Sequence, residues 1–339
     1  MDLRISHVMH RCPSVARLAN FVPARCRAIS LSALLALLGL NVATAAEMKV
    51  ISPADEPIAT SPKVTPEHFL GDWQPLEWHE DYAAAMAQAD RQVKMLLVHF
   101  YDPKNPKQTQ RIERDLAENL EVRERLERYV LAKLPIDATI RVHGKELKLL
   151  DHKAYAELQH GQGIVIIDYA NPTSEHYSLV VSALPFKTGK YYRYRNNHVP
   201  VLLDLPSGTL TQRTMIFAVR IHPEAPASTK GGKSPQLIAE AKQHSLYQAD
   251  IGVQGHHHWD HRFQRIGQKL PGGLIAQEVV AESWPNESLI DAAVDCVASW
   301  RQSPGHWGAV KRSQPLFGYD MRLGRNGIWY ATGIFGNRH

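Results

Sequence analysis

One stretch limits the folds open to this chain more than any other: Trp300-Arg301-Gln302-Ser303-Pro304-Gly305-His306-Trp307. Upstream of it Leu289, Ala293, Cys296, Val297 and Trp300 recur at helical spacing, so a helix with one apolar face runs into the stretch. Asn286 or Ser288 suits its N-cap. Ser-Pro-Gly then breaks the helix, and the spacing predicts that His306 stands at its exit. Downstream, 317–322 and 328–335 flank Asn326-Gly327, the dipeptide favoured in tight two-residue hairpins. A second histidine cluster, Gly255-His256-His257-His258-Trp259, lies upstream. Together these features predict a histidine- and carboxylate-lined cavity in the C-terminal third.

The N-terminus sets the compartment. An arginine-bearing lead is followed by the apolar run 29–42 and by Ala43-Thr44-Ala45-Ala46, which predicts a cleaved signal peptide over 1–46 and a periplasmic or secreted protein. The run is shorter than the roughly 20 residues of a membrane span, so no membrane span is expected after cleavage. The leader holds five arginines and one aspartate; without it 34 basic and 33 acidic residues remain, and the net charge falls from +5 to +1. A chain so nearly neutral offers no electrostatic case for nucleic acid. Cys12 and Cys26 leave with the leader, and Cys296, on the apolar helix face, reads as a buried core residue.

Residues 47–72 are rich in Pro, Ser, Thr and Ala and read as a linker, with order beginning near Trp73. A helix is expected over 79–90, a buried strand over 95–101, and a turn at 102–106. A long charged helix follows, striped by Leu116, Leu120, Leu126 and Val130. Strands near 131–136 and 164–168 bracket a helical segment at 150–158, an α/β pattern. This order over 73–187, opened by Lys94 and its apolar strand, resembles the thioredoxin-like fold. The turn that carries Cys-x-x-Cys in working members has no cysteine here, so the resemblance implies a scaffold without disulfide chemistry. Residues 188–234 bridge to the rest. Within them Tyr191-Tyr192-Arg193-Tyr194-Arg195 reads as a solvated loop or edge strand in preference to a binding patch. Thr214–Ile221 is apolar enough for core, suiting an edge strand of either domain. The Pro/Gly/Ser-rich run 223–235 is the best domain boundary.

Residues 235–339 resemble the CAP superfamily (SCP/PR-1-like) in its bacterial form. The likeness rests on His258, Ala281-Glu282-Ser283-Trp284, Trp300–His306, Phe317-Gly318-Tyr319 and Trp329–Gly336, with equal spacings of 24 residues from His258 to Glu282 and from Glu282 to His306. The family's Gly-Glu-Asn-Ile element is half kept, and Glu278 competes with Glu282 for the carboxylate. Which of His256, His257 and His258 faces the cavity stays open. The fold class expected is therefore α/β and α+β: a degenerate thioredoxin-like domain followed by a CAP-like α-β-α sandwich.

The resemblance implies a divalent metal, zinc by its ligand types, on His258 and His306, in a cavity lined by Glu282, Glu278 and Trp300. No Gly-x-Ser-x-Gly, phosphate loop or Cys-x-x-Cys is present, and nothing marks Ser303 as an activated nucleophile. Three functions fit. The first is an exported binding protein for a small-molecule, lipid or peptide ligand. The second is a metal-assisted hydrolase of envelope peptides or glycans acting through Glu282, His258 and His306. The third is a structural envelope protein with a vestigial site. The first is preferred, because a fold alone confers no activity.

Overall fold

Helix α1 (Tyr82–Gln92) begins where the Asp81 carboxylate accepts the Ala84 N–H at 2.7 Å and ends at Val93, whose φ of 53° is left-handed. The computed structural model describes residues 76–142, 145–189 and 198–338; the leader, the linker, Trp73 and the Tyr191–Arg195 run fall outside them. β1 (Met95–Tyr101) is buried almost end to end. α2 (Pro106–Glu118) and α3 (Leu120–Leu126) follow, then β2 (Tyr129–Pro135). The single long helix read from the sequence is thus two, split at Asn119, whose side chain caps α3 by accepting the Val122 N–H at 3.2 Å. The split rotates the stripe: Leu116 and Leu126 are buried, Leu120 is exposed, and Val130 belongs to β2.

β3 (Thr139–Val142) and β4 (Lys145–Lys148) form a separate ribbon. The helical segment expected at 150–158 consists of two 3-10 turns, Leu149–Asp151 and Lys153–Leu158. β5 (Gly163–Ile167) and β6 (Val180–Pro185) complete a sheet ordered β2-β1-β5-β6. β1 and β2 are parallel, while β5 runs antiparallel to both of its neighbours.

α4 (Val199–Leu203) leads to α5 (Leu210–Arg220). Thr214–Ile221 is therefore helix, in place of the expected strand. A capping box between Thr209 and Gln212 starts it, and every residue from Gln212 to Val219 is buried. A helix buried all round has no apolar stripe, and a short apolar run without a stripe is indistinguishable from a strand by pattern.

β7 (Gly232–Lys233), α6 (Pro235–Ile251), α7 (Trp259–Gly267), β8 (Leu274–Glu282), α8 (Leu289–Gln302), α9 (Pro304–Lys311), β9 (Leu316–Leu323) and β10 (Trp329–Arg338) follow. The second sheet is ordered β7-β9-β10-β8, and its three long strands are antiparallel. Asn326-Gly327 lies in the β9–β10 turn, closed by Gly324 N–H to Ile328 O at 2.8 Å. That turn spans five residues, longer than the two-residue one expected. α6 packs directly on β9: a Cβ on Gly318 would lie 2.4 Å from Ile238 N, so only glycine permits the approach.

Together the elements make a mixed α/β protein. α5 joins its two sheets. Met215, Phe217 and Val219 fall in one apolar cluster with Leu97, Ile166 and Leu184 of the first sheet and with Val279, Trp300 and Phe335 of the second half. Burying side chains of this size contributes about 1.5–3 kcal/mol each. Polar bonds fix the junction: the Arg213 guanidinium donates to Ser182 Oγ at 2.7 Å and to Leu205 O at 2.8 Å, and Thr211 Oγ1 donates to Asp320 at 2.6 Å. The connecting run 223–235 is itself fastened, with Ser228 N–H donating to Val310 O at 3.1 Å. Cys296 is a buried core thiol, as its place on the α8 face suggests.

Candidate functional site

The loop between α6 and α7 is held by side chains of α6. Gly252, at φ 68°, ends that helix, and Gln248 Oε1 accepts the Gly255 N–H at 3.1 Å while its amide donates to Thr332 Oγ1 at 3.0 Å. His244 Nε2 meets Gly255 O at 2.9 Å. These anchors set the backbone just before His256 and aim its ring at β8.

His256, not His258, is the histidine of the run that meets the second cluster. Its Nδ1 lies 2.9 Å from Glu278 Oε1, and its Nε2 lies 3.2 Å from His306 Nε2. His258 sits at a left-handed φ of 54° before α7, with its Nε2 3.2 Å from Tyr247 Oη; His257 turns back to Val253 O at 3.3 Å. Three consecutive histidines in a loop point in three directions.

Glu278 takes the carboxylate position, buried in β8 and held by Arg262 of α7, which contacts both of its oxygens, one at 2.8 Å. Burial opposes its charge, but the hydrogen bonds from Arg262 and His256 outweigh that and leave its acid below the usual carboxylate range. Ionised, it only accepts, so His256 Nδ1 donates to it, and in the neutral tautomer that this selects Nε2 is the lone-pair nitrogen. Glu282 lies four residues further along the same strand, about 13 Å away, and is exposed. Two carboxylates of one short stretch thus go to different places.

His306 is in the first turn of α9, not at a helix exit. Ser303 breaks α8, and Pro304 opens a new helix at once, as proline at the first helical position favours. The His306 imidazole is half-buried, and burial, then the neighbouring His256, lowers its pKa. Burial also pushes His244 down to about 4, against the pull of Glu278 at 3.8 Å. Trp300 does not line the site; it is fully buried with its ring centroid 5.9 Å from that of Tyr319. Sequence reasoning misses His244, although it falls on the buried face of α6 with Leu237, Ala241 and Gln248. A histidine on that face is the available signal.

His258, Glu282 and His306 do not converge, and among the described residues no group of three or more His, Cys, Asp or Glu side chains is arranged to hold a metal ion. Two imidazoles do converge. Their Nε2 separation of 3.2 Å is close to the roughly 3.3 Å spanned by two nitrogens each about 2.0–2.1 Å from a tetrahedral zinc. The carboxylate on the far nitrogen of His256 is the usual arrangement behind a metal-ligating histidine. The His256 side chain is 44% exposed, so solvent ions reach the pair.

One other cluster has catalytic residue types. His176 Nε2 lies 2.9 Å from Ser207 Oγ and 3.1 Å from Asp168 Oδ2. Both partners meet the same nitrogen, whereas a proton relay uses the two nitrogens separately, so this is a hydrogen-bonded junction.

Among the described residues no helix is long and apolar enough to cross a membrane. No family model matches the chain, and no curated protein matches it. Among solved structures it is similar to an outer surface protein from Borrelia burgdorferi, at 18% sequence identity and a TM-score of 0.27, over 32% of this chain and 78% of that one. At that score the likeness carries no weight for fold or function.

Proposed function

We propose that the protein is an exported binding module whose polar contact is the His256–His306 pair, which takes a divalent cation of the zinc type. The observation that carries this reading is the pair itself: two facing Nε2 atoms, one with its lone pair fixed by an ionised, arginine-held carboxylate. A bound cation would supply a Lewis-acidic contact for an anionic or carbonyl group of a ligand. Glu278 orients His256, Arg262 holds Glu278 charged, and Gln248 and His244 hold the loop. Two protein ligands leave the other positions to water or to the bound molecule.

The CAP-like reading of 235–339 is supported by the succession α7, β8, α8, α9, β9, β10 and by the histidine–glutamate–histidine contact; it is carried by His256 and Glu278 in place of His258 and Glu282. The thioredoxin-like reading of 73–187 is supported by a parallel β1–β2 pair joined through helix and an antiparallel β5–β6 pair beside it. Export rests on the leader sequence. Metal-assisted hydrolysis asks for a carboxylate able to accept a proton at the site, and Glu278 is committed to Arg262.

The test is zinc content after equilibration and dialysis, measured on the wild type and on His256→Ala, His306→Ala and His258→Ala. The wild type and His258→Ala retain zinc and the other two lose it. Retention in His256→Ala, or no uptake by the wild type, overturns the assignment.

A further inference from the structure

The two histidines of the pair reach each other from opposite faces of the second sheet. Side chains alternate between the faces along a strand, and the packing of β8 shows which layer lies on which face. Val279 and Ala281 join Trp307 and Val310 of α9 in one apolar cluster. Ala276 joins Leu237 and Ala241 of α6 and Ile266 of α7 in another. Glu278 has the parity of Ala276, and on that face it meets Arg262 of α7 and His256 of the α6–α7 loop. His306 comes from α9, in the layer on the Val279 face, yet its Nε2 lies 3.2 Å from that of His256. β8 is the last strand in the order β7-β9-β10-β8, so the contact closes around the open edge of the sheet.

That edge is one a fold has to cover. β8 runs nine residues, Leu274–Glu282, in unbroken register with β10, and it carries neither proline nor a basic residue. Among the described residues its backbone is hydrogen-bonded to β10 and, through the Leu274 N–H, to Pro271 O, with no partner on its outer side. A long edge strand without such interruptions is a template for adding a further strand. Val279, Val280 and Ala281 nevertheless keep at most 3% of their surface exposed. We propose that the His256–His306 pair is a cation-operated clasp, in which the shared cation ties the α6–α7 loop to α9 across β8 and holds this edge closed. The clasp rests on the zinc-type cation proposed above and gives that cation control over exposure of the strand. Without it the edge is spanned at this point by one imidazole–imidazole hydrogen bond, and such a neutral bond adds little net stability.

Amide hydrogen–deuterium exchange of the full chain with and without zinc, on samples whose zinc content is measured in parallel, tests this. Without zinc, β8 opens separately from the rest of its sheet and exchanges faster than the interior strand β9. At free zinc about a hundredfold above its dissociation constant, an opening that breaks the site is suppressed about a hundredfold, and exchange over 274–282 slows by that factor. His306→Ala abolishes the zinc effect on β8, and His258→Ala preserves it. A wild type that takes up no zinc overturns the cation site and the clasp together. Zinc uptake that leaves β8 exchange unchanged overturns the clasp alone, as does a zinc-free β8 that exchanges no faster than β9.

Discussion

Acid should destabilise this protein through histidines buried neutral, and His99, far in sequence from the candidate site, is one whose share a single substitution isolates. His99 lies in the central strand β1 with no exposed surface, between the rings of Trp78, Tyr101 and Phe186 at centroid distances of 6.1–6.5 Å. Neither ring nitrogen has a hydrogen-bond partner among the described residues. Burial, and then the Lys133 ammonium on the adjoining strand, push its pKa from 6.5 down to about 4. Glu113 of α2 pairs with that lysine at 2.8 Å, so the cation stays in place. The unfolded chain binds the proton near pH 6.5 and the folded chain only near pH 4. Stability from His99 is therefore complete above pH 6.5, falls as the pH drops through this window, and levels off below it. A shift of this size is worth about 3 kcal/mol, a large part of the 5–15 kcal/mol typical of a folded domain.

The perturbation is His99→Phe, which places an apolar ring among aromatic neighbours and removes both orphaned nitrogens. At pH 7 the variant is expected to stay within about 1.5 kcal/mol of the wild type, since no protein hydrogen bond is lost. Equilibrium urea unfolding at pH 7, 5.5 and 4 gives the readout. The wild type loses about 3 kcal/mol more than His99→Phe on going from pH 7 to pH 4. Equal losses in the two proteins would refute the claim that His99 is buried neutral.

Three further outcomes follow from the packing. Glu278→Gln strips Arg262 of its buried counter-charge and should cost about 3–5 kcal/mol in urea unfolding, together with the zinc content; an unchanged midpoint would mean the pair is solvated. Gly318→Ala drives a methyl group into the α6 backbone and should cost about 1–3 kcal/mol, read as a lowered Tm; an unchanged Tm would mean that α6 can draw back from β9. Glu282→Ala, at an exposed strand end, should change stability by less than about 0.5 kcal/mol and leave zinc content as in the wild type; zinc loss there would restore Glu282 as the site's carboxylate.

Much of the architecture is legible in the sequence because local pattern and burial agree. β1 and α8 follow from an apolar run and a one-sided stripe, and the break before His306 follows from Ser-Pro-Gly. α5 is not legible as a helix, because its position between two sheets erases the stripe that marks one. The charged helix hides its break, since Asn119 is an ordinary polar residue until its side chain is seen capping α3. At the site, the residue types are readable and the choice among neighbours is not. Even spacing points to His258 and Glu282, whereas the chain delivers His256 and Glu278, because Gln248 and His244 fix the loop at Gly255 and Arg262 reaches back to β8. Those anchors lie well outside the stretch they position, beyond any local periodicity.

The central claim is that His256 and His306 share one divalent cation with Glu278 behind them. It is tested most directly by locating zinc in crystals of the loaded protein from anomalous scattering at the zinc edge. One peak is expected about 2.0–2.1 Å from both Nε2 atoms, with the Glu278 carboxylate still on His256 Nδ1. A peak on His257, His258 or His261, or none at the pair, would contradict it.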